Sequence, residues 1–425
     1  MANQNKISLF TAILININIM IGAGVFMNTG PLTKYLGLFG FTSYIASAIL
    51  LLPIVLTIAK LAQTKAVAGG LYVYNKEILG ESIGFLGGWS YFLGKTTSAG
   101  LLIHVFVTFF HNKINLLQSL PILFWDAILI FALIFLNILG LRLGGKIQYF
   151  FASAKFIPLI FVIFASASLF NPNLFIITAL DIQNIFLAIP VAVYALISFE
   201  IITSVGHLVE NPEKNIKRVI LYSFLIVALI NIAVQFFMYF AFNKELLSVN
   251  IPVLLLGTKI FAAGSHIPSI INASVFASIL GGSFGVFSSN CWNLYALAKD
   301  NNFPFKKLLT KINTNNVPYV SILLQGVLAS IFLAISQNQV TLQNMVIFGV
   351  AIAYFLSSLS LLKLLNLDQK RKKLLPLLAI LSSTYLVFLC IKNIINSGIS
   401  FSFIAVFLFG IILAVYQKLR KKINR

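Results

Sequence analysis

The 425-residue sequence is poor in most of what a water-soluble enzyme is built from. Charged residues make up 9% of it, and its 10 Asp and Glu face 30 Lys and Arg. Its two cysteines, Cys291 and Cys390, sit in different apolar stretches with no CxxC spacing, which excludes a disulfide framework and a thiolate metal site. Its four histidines, His104, His111, His207 and His266, show neither HExxH nor paired spacing, so they read as packed or interfacial residues rather than ligands. No polar stretch is long enough to bury a core of its own. The longest loops, residues 63–83 and 299–317, are too short for a soluble domain.

Cofactor motifs are missing too. Gly140-Leu141-Arg142-Leu143-Gly144-Gly145-Lys146 has P-loop spacing, but Ile147 stands where a Ser or Thr would ligate magnesium, and no strand precedes it. Gly22-x-Gly24 lacks the third glycine and the βαβ setting of a dinucleotide fingerprint. No nucleophile–base or metal constellation is visible in the apolar stretches. The reading is therefore not an enzyme, with no cofactor and no metal.

What the sequence does have is apolar length. Hydrophobic residues are 59% of it and the mean hydropathy is +0.97. A hydrocarbon core about 30 Å thick needs about 20 apolar residues at 1.5 Å each, and stretches of that size recur about twelve times. They cover residues 8–36, 38–62, 84–111, 122–141, 147–169, 183–207, 216–243, 267–298, 318–336, 340–365, 374–395 and 399–419. The first is too long for the apolar part of a signal peptide and has no small-residue cleavage site after it, so it reads as a retained helix.

The net charge of +20 is spread through short loops, which points to membrane topology and not to nucleic acid. Most Lys and Arg fall on the side of both termini, including Lys60, Lys76, Arg142, Lys217, Lys306, Lys370 and Lys418. The other side keeps Lys34, Lys113, Lys244, Lys259 and Lys392, while Lys95 and Lys155 lie inside spans. The expectation is a multi-pass protein of the cytoplasmic (inner) membrane, with N- and C-termini cytoplasmic and the lipid bilayer as its surroundings.

Two spans carry interruptions. Ile21-Gly22-Ala23-Gly24-Val25-Phe26 sits within span one, and each glycine weakens a helix by about 1 kcal/mol relative to alanine. In lipid, a break is tolerated where the freed backbone lines a cavity or is buried in protein. Span six holds Tyr194-Ala195-Leu196-Ile197-Ser198-Phe199-Glu200, with a carboxylate in an apolar run. An ionisable group there costs about 2.5–3.5 kcal/mol on insertion scales, so it faces a wet cavity or a partner. Spans one and six each open a group of five. An odd number per group makes the groups antiparallel, which brings paired broken helices together near the midplane. A half-helix N-terminus suits a carboxylate and unwound carbonyls suit an ammonium; an amino acid carries both.

Further motifs then make a resemblance specific. They are Ala68-Gly69-Gly70-Leu71-Tyr72-Val73-Tyr74, Gly84-Phe85-Leu86-Gly87-Gly88-Trp89, Asn137 to Gly140, Lys155-Phe156-Ile157-Pro158-Leu159, Glu210-Asn211-Pro212-Glu213-Lys214-Asn215, Tyr295-Ala296-Leu297-Ala298-Lys299-Asp300 and Asn316-Val317-Pro318-Tyr319. With the two breaks, and in this order from about residue 12 to residue 325, the sequence resembles the amino acid–polyamine–organocation (APC) superfamily. The resemblance implies an all-α integral membrane protein, a single transmembrane transporter domain over 1–425. It would have twelve transmembrane helices: a five-plus-five inverted repeat with broken helices 1 and 6 (repeat one 8–169, repeat two 183–365), plus two C-terminal helices at 374–419.

The implied function is secondary active transport of amino acids by alternating access, proton-coupled or exchange-type. Alternatives on the same scaffold are a polyamine or amine antiporter and a non-transporting amino acid sensor. By resemblance, Ile21, Gly22, Ala23 and Gly24 would bind the substrate carboxylate, and the backbone around Tyr194, Ala195, Ile197 and Ser198 the α-ammonium. Tyr194 would close over the substrate, while Thr97, Ser98, Ser283 and Val286 would line the side-chain pocket. Lys155 and Glu200 are the proton-coupling candidates. Lys155 matches a lysine that stands in for sodium in sodium-independent relatives; it would either shuttle a proton or stay charged and bridge spans one, five and eight. Two positions depart from the family pattern. Ser198 stands where glycine is usual, and Lys95 would snorkel, pair with Glu200 or reach the substrate.

Overall fold

The computed structural model describes residues 6–64, 70–139, 159–175, 182–203, 209–248, 251–252, 254–261, 266–300, 305–365, 370–396 and 400–423. Among them there is no strand; the one β-bridge, Ile7 to Val209, ties the N-terminus to the segment leading into α10. The first apolar span is three helices, α1 (Leu9–Met20), α2 (Gly24–Met27) and α3 (Thr29–Leu36), followed by α4 (Gly40–Thr64). Next come α5 (Gly70–Leu79), α6 (Glu81–Lys113), α7 (Ile122–Ile138) and α8 (Leu159–Ser168). Beyond these lie α9 (Ile182–Leu196), α10 (Pro212–Phe242), α11 (Leu254–Ile260), α12 (Ile267–Lys299) and α13 (Lys306–Leu309). The chain closes with α14 (Tyr319–Ile335), α15 (Gln339–Leu364), α16 (Lys370–Asn396) and α17 (Ser400–Ile423).

Seven helical stretches among the described residues are long and apolar enough to cross a membrane, and α1, α7, α8, α14 and the Phe403–Ile412 part of α17 add shorter apolar helices. The outward surface is apolar: Phe131, Phe164, Ile49, Leu381 and Ile412 are each at least 60% exposed. A water-soluble surface rarely shows so many large apolar groups, whereas hydrocarbon solvates them. This is a multi-pass membrane protein.

Two expected loops contain helix. Residues 63–83 hold α5, which buries Leu71, Tyr72, Tyr74 and Asn75, and residues 299–317 hold the single turn α13. The hydropathy of α5 is too low for a span, so it is legible in the sequence only as a gap between spans. Its apolar and aromatic residues nevertheless cover one side of α6 and α15.

The long helix α6 is the hub, packing against α15, α12, α14, α7 and α5. It meets α15 through glycine on both helices. A Cβ on Gly94 would stand 2.8 Å from the Val346 carbonyl oxygen of α15, and one on Gly349 would stand 2.5 Å from that of Ser90. Small residues of this kind let membrane helices cross backbone to backbone. The crossing lies beside Lys95 on α6 and a turn before Tyr354 on α15, so it sets the depth of both side chains in the bundle.

Candidate functional site

Helix α1 stops at Met20. Ile21 turns out of the helical region (φ −72°, ψ 87°), the Gly22 amide donates back to the Met20 carbonyl at 2.8 Å, and Ala23 caps α2. The backbone stays helical through Asn28 into α3. The first amides of α2, on Gly24 and Val25, have no acceptor within their own helix, as at any helix start. Among the described residues, a Cβ on Gly22 would meet nothing within 4 Å, whereas one on Gly24 would be 2.8 Å from the Ala195 Cβ of α9. Gly22 thus faces space that no described residue fills, and Gly24 packs directly on the other interrupted helix.

Buried amides hold this junction. Asn28 Nδ2 donates to the Val191 carbonyl at 2.7 Å, and Gln343 Nε2 of α15 donates to Asn28 Oδ1 at 2.8 Å. Asn16 Nδ2 of α1 donates to Ser223 Oγ at 2.8 Å and to the Phe199 carbonyl, freed by the second break, at 3.3 Å. An unwound carbonyl in a membrane must find such a donor.

The second break begins after Leu196. Ser198 has φ 83°, the left-handed region that favours glycine, so serine holds it at a cost of about 1–2 kcal/mol. A turn at 201–203 comes next, in which the Thr203 hydroxyl donates to the Glu200 carbonyl at 2.7 Å. One face of α6 runs along this break at helical spacing. Tyr91 Oη donates to Glu200 Oε1 at 2.8 Å. Lys95 Nζ donates to Ser198 Oγ at 2.8 Å and lies 3.2 Å from Glu200 Oε1. Ser98 Oγ and Tyr194 Oη are 3.4 Å apart. From α15, Tyr354 Oη donates to Glu200 Oε2 at 2.6 Å.

Lys95 and Glu200 are 3% and 1% exposed. Burying two charges costs several kcal/mol per ion unless the geometry is good and the remaining polar atoms are satisfied. Here both carboxylate oxygens accept, and the ammonium has Ser198 as a second partner and the Tyr91 ring 5.2 Å away.

This pair lines a cavity of about 450 Å³ that runs along α6 from Gly87 to Lys95 and α12 from Val286 to Lys299. Beside Tyr72 and Lys299 of its lining stands a surface cluster, in which Tyr72 Oη donates to Asp300 Oδ2 at 2.6 Å and Lys76 Nζ lies 2.7 Å from it. Partial burial works to raise the Asp300 pKa, but hydrogen bonds from Lys76 and Tyr72 and the charges of Lys76 and Lys299 outweigh it and hold the group below its ordinary value. A second cavity, about 900 Å³, borders Gly30 and Lys34 of α3, Gln339 at the start of α15, and Asn393.

The structure brings Gly24 against Ala195 and sets Tyr194 on Ser98, while Ile21, Gly22 and Ala23 make the break that precedes Gly24. Ile197, Ser198 and Glu200 form the second break, and Val286 lines the smaller cavity. Thr97 and Ser283 are fully buried elsewhere: their hydroxyls donate to the carbonyls of Leu93 at 3.0 Å and Ala99 at 3.1 Å. Lys155 lies outside the described residues. Of the roles open for Lys95, the structure realises the pair with Glu200.

Sequence reasoning missed Tyr91, Tyr354, Asn16, Asn28 and Gln343. The last three were findable as polar groups within apolar spans. It also missed a second buried pair, His104 Nδ1 on α6 with Asp126 Oδ2 on α7 at 2.8 Å.

A family model described as "Amino acid permease" matches residues 11–424. The chain is 27% identical over 409 residues to the serine/threonine exchanger SteT of Bacillus subtilis, covering 90% of each chain. It is 25% identical over 372 residues to a putative amino-acid transporter of Methanocaldococcus jannaschii, covering 85% of this chain and 92% of that one. It is 22% identical over 331 residues to the lysine-specific permease LysP of Lactococcus lactis, covering 71% of this chain and 64% of that one.

Proposed function

The chain belongs to the amino acid permease family, a family of transporters rather than enzymes, and from that premise we propose that it is a secondary active transporter that exchanges amino acids across the cytoplasmic membrane by alternating access. Both termini are cytoplasmic in this reading, as the distribution of Lys and Arg requires. The architecture is a single domain of twelve spans, with repeats at 8–169 and 183–365 in inverted relation and two further helices at 374–419. The observation that carries the reading is the meeting of two interrupted helices at Gly24 and Ala195. Paired breaks set free N–H groups and free carbonyls side by side, the donor and acceptor sets that a zwitterion needs.

In this site the substrate carboxylate approaches Gly22, where there is room, and meets the first amides of α2. The α-ammonium is held by carbonyls around Tyr194, Ala195 and Ile197, with the Tyr194 ring over the substrate. The side chain points toward Ser98 and Val286, and Thr97 and Ser283 support the helices behind it. Similarity to a serine/threonine exchanger over 90% of both chains favours exchange, with small neutral amino acids as the first substrates to try. Glu200 and Lys155 are the groups through which protons would couple.

The test is counterflow in proteoliposomes. Vesicles loaded with unlabelled L-serine or L-threonine should accumulate the labelled amino acid with saturation, and empty vesicles should not. Linear, load-independent flux would mean a channel; binding seen by thermal shift against the twenty amino acids without any flux would mean a sensor.

A further inference from the structure

Resting on the amino acid transport reading, we infer that Lys95 determines the charge class of the substrate: by occupying Glu200 it denies cationic amino acids and amines a counter-charge, and leaves the site to neutral zwitterions. Glu200 is the one carboxylate among the described residues lining the smaller cavity. It is not free to meet a ligand. Oε1 accepts from Tyr91 and lies 3.2 Å from the Lys95 ammonium, and Oε2 accepts from Tyr354. A cation entering this cavity passes Lys299 and then finds an acid already neutralised. Desolvating a second positive charge beside Lys95 without a partner is unfavourable in a buried site.

The placement of Lys95 is built rather than incidental. Its ammonium is anchored from the far side by Ser198 Oγ at 2.8 Å. Ser198 occupies a positive-φ position at which glycine would be relaxed and serine is strained. The two residues that depart from the family pattern are each other's hydrogen-bond partners, so the side chain whose Cβ strains the backbone also supplies the hydroxyl that holds the lysine. One turn along the same face of α6, Ser98 Oγ is 3.4 Å from Tyr194 Oη, so the neutralised pair lines the cavity one helical turn from the residue that meets Tyr194.

The experiment is competition in counterflow by full-length protein in liposomes, using the neutral amino acid that the wild type exchanges fastest as tracer, and L-arginine and L-lysine as competitors. The wild type should discriminate against both by about a hundredfold, and Lys95→Gln, which frees Glu200, should narrow that ratio by about tenfold or more. The double variant Lys95→Gln/Glu200→Gln buries no unpaired charge and covers the case in which the single variant does not fold. Lacking any carboxylate, it should still exclude arginine. Equal exchange of neutral and cationic amino acids by the wild type, an unchanged ratio in Lys95→Gln, or arginine uptake by the double variant overturns the inference alone. A wild type that exchanges no amino acid overturns the transport reading and this inference with it.

Discussion

Helix α6 carries two buried acid–base pairs, and they differ in everything but burial. Lys95–Glu200 joins α6 to the broken end of α9, is hydrogen-bonded from α15 as well, and faces a cavity. His104–Asp126 joins α6 to α7. His104 Nδ1 is 2.8 Å from Asp126 Oδ2, Thr108 stands 3.4 Å from His104 Nε2, and Asp126 Oδ1 has no hydrogen-bond partner among the described residues. Neither His104 nor Asp126 lines either cavity described above. Burial of a charge is therefore common to a pair that lines a cavity and to one that does not. What sets the first pair apart is adjacency to backbone that has left the helix and to space that a ligand can enter.

Substituting each acid by its amide breaks the comparison most directly. Glu200→Gln strands the Lys95 ammonium, and removing one member of a buried pair costs about 3–5 kcal/mol. Counterflow should fall by about a hundredfold or more, with a lower melting temperature. Asp126→Asn keeps the shape and a bond to His104. It should leave exchange within about twofold of wild type and change stability by about 1 kcal/mol. Comparable losses of exchange in both variants would erase the distinction.

The next effect separates two glycines of the first break. Gly24→Ala drives a Cβ against Ala195 and should destabilise by about 1–3 kcal/mol, seen as a lower melting temperature with or without substrate. Gly22→Ala fills open space. The unliganded protein should melt as wild type does, while the stabilisation by substrate disappears. If substrate still stabilises Gly22→Ala, the carboxylate does not approach there.

Ser198→Gly is smaller. It relieves a positive φ, gaining about 1 kcal/mol or less, and removes the anchor of Lys95. The variant should be at least as stable as wild type and discriminate less sharply between neutral and cationic amino acids. A loss of stability would mean that the Lys95–Ser198 bond outweighs the strain.

The smallest effect belongs to a third acid, at the surface. Asp300 is held below its ordinary pKa, so its bonds to Lys76 and Tyr72 add stability at pH values above the ordinary carboxylate range, and that contribution is lost as pH falls through the depressed value. Asp300→Asn should lower the melting temperature slightly at neutral pH and converge with wild type in acid. An unchanged difference across that range would show that the charge on Asp300 contributes nothing.

Much of this is legible in one dimension. The apolar runs foretell where long helices lie, Gly22 and Gly24 foretell the first break, and Glu200 in an apolar stretch foretells the second. The second break is readable from its acid and not from its backbone, because the strained residue is Ser198 and not a glycine. Helix α5 reads as loop because it packs on the bundle with too few apolar residues to span. Asp126 escapes notice although an acid in an apolar run is itself a signal; its partner His104 is reached only across α6 and α7. Gly24 reads as leaving room for a ligand, and its neighbour is Ala195.

Apolar length, helix breaks and the loop charges that suggest which side faces the cytoplasm are properties of a segment against a slab of fixed thickness, and a sequence states them without reference to any other segment. Which charge meets which is decided elsewhere. It depends on how close α6 and α15 can approach at Gly94 and Gly349, which sets the depth at which Tyr354, Lys95 and Glu200 converge. Interhelical hydrogen bonds and ion pairs act over about 3 Å, and no segment carries that register by itself. The sequence alone determined that two breaks and a buried carboxylate exist; only the packing of helices decided that the carboxylate is held by a lysine, and that the lysine is held by the serine in the break.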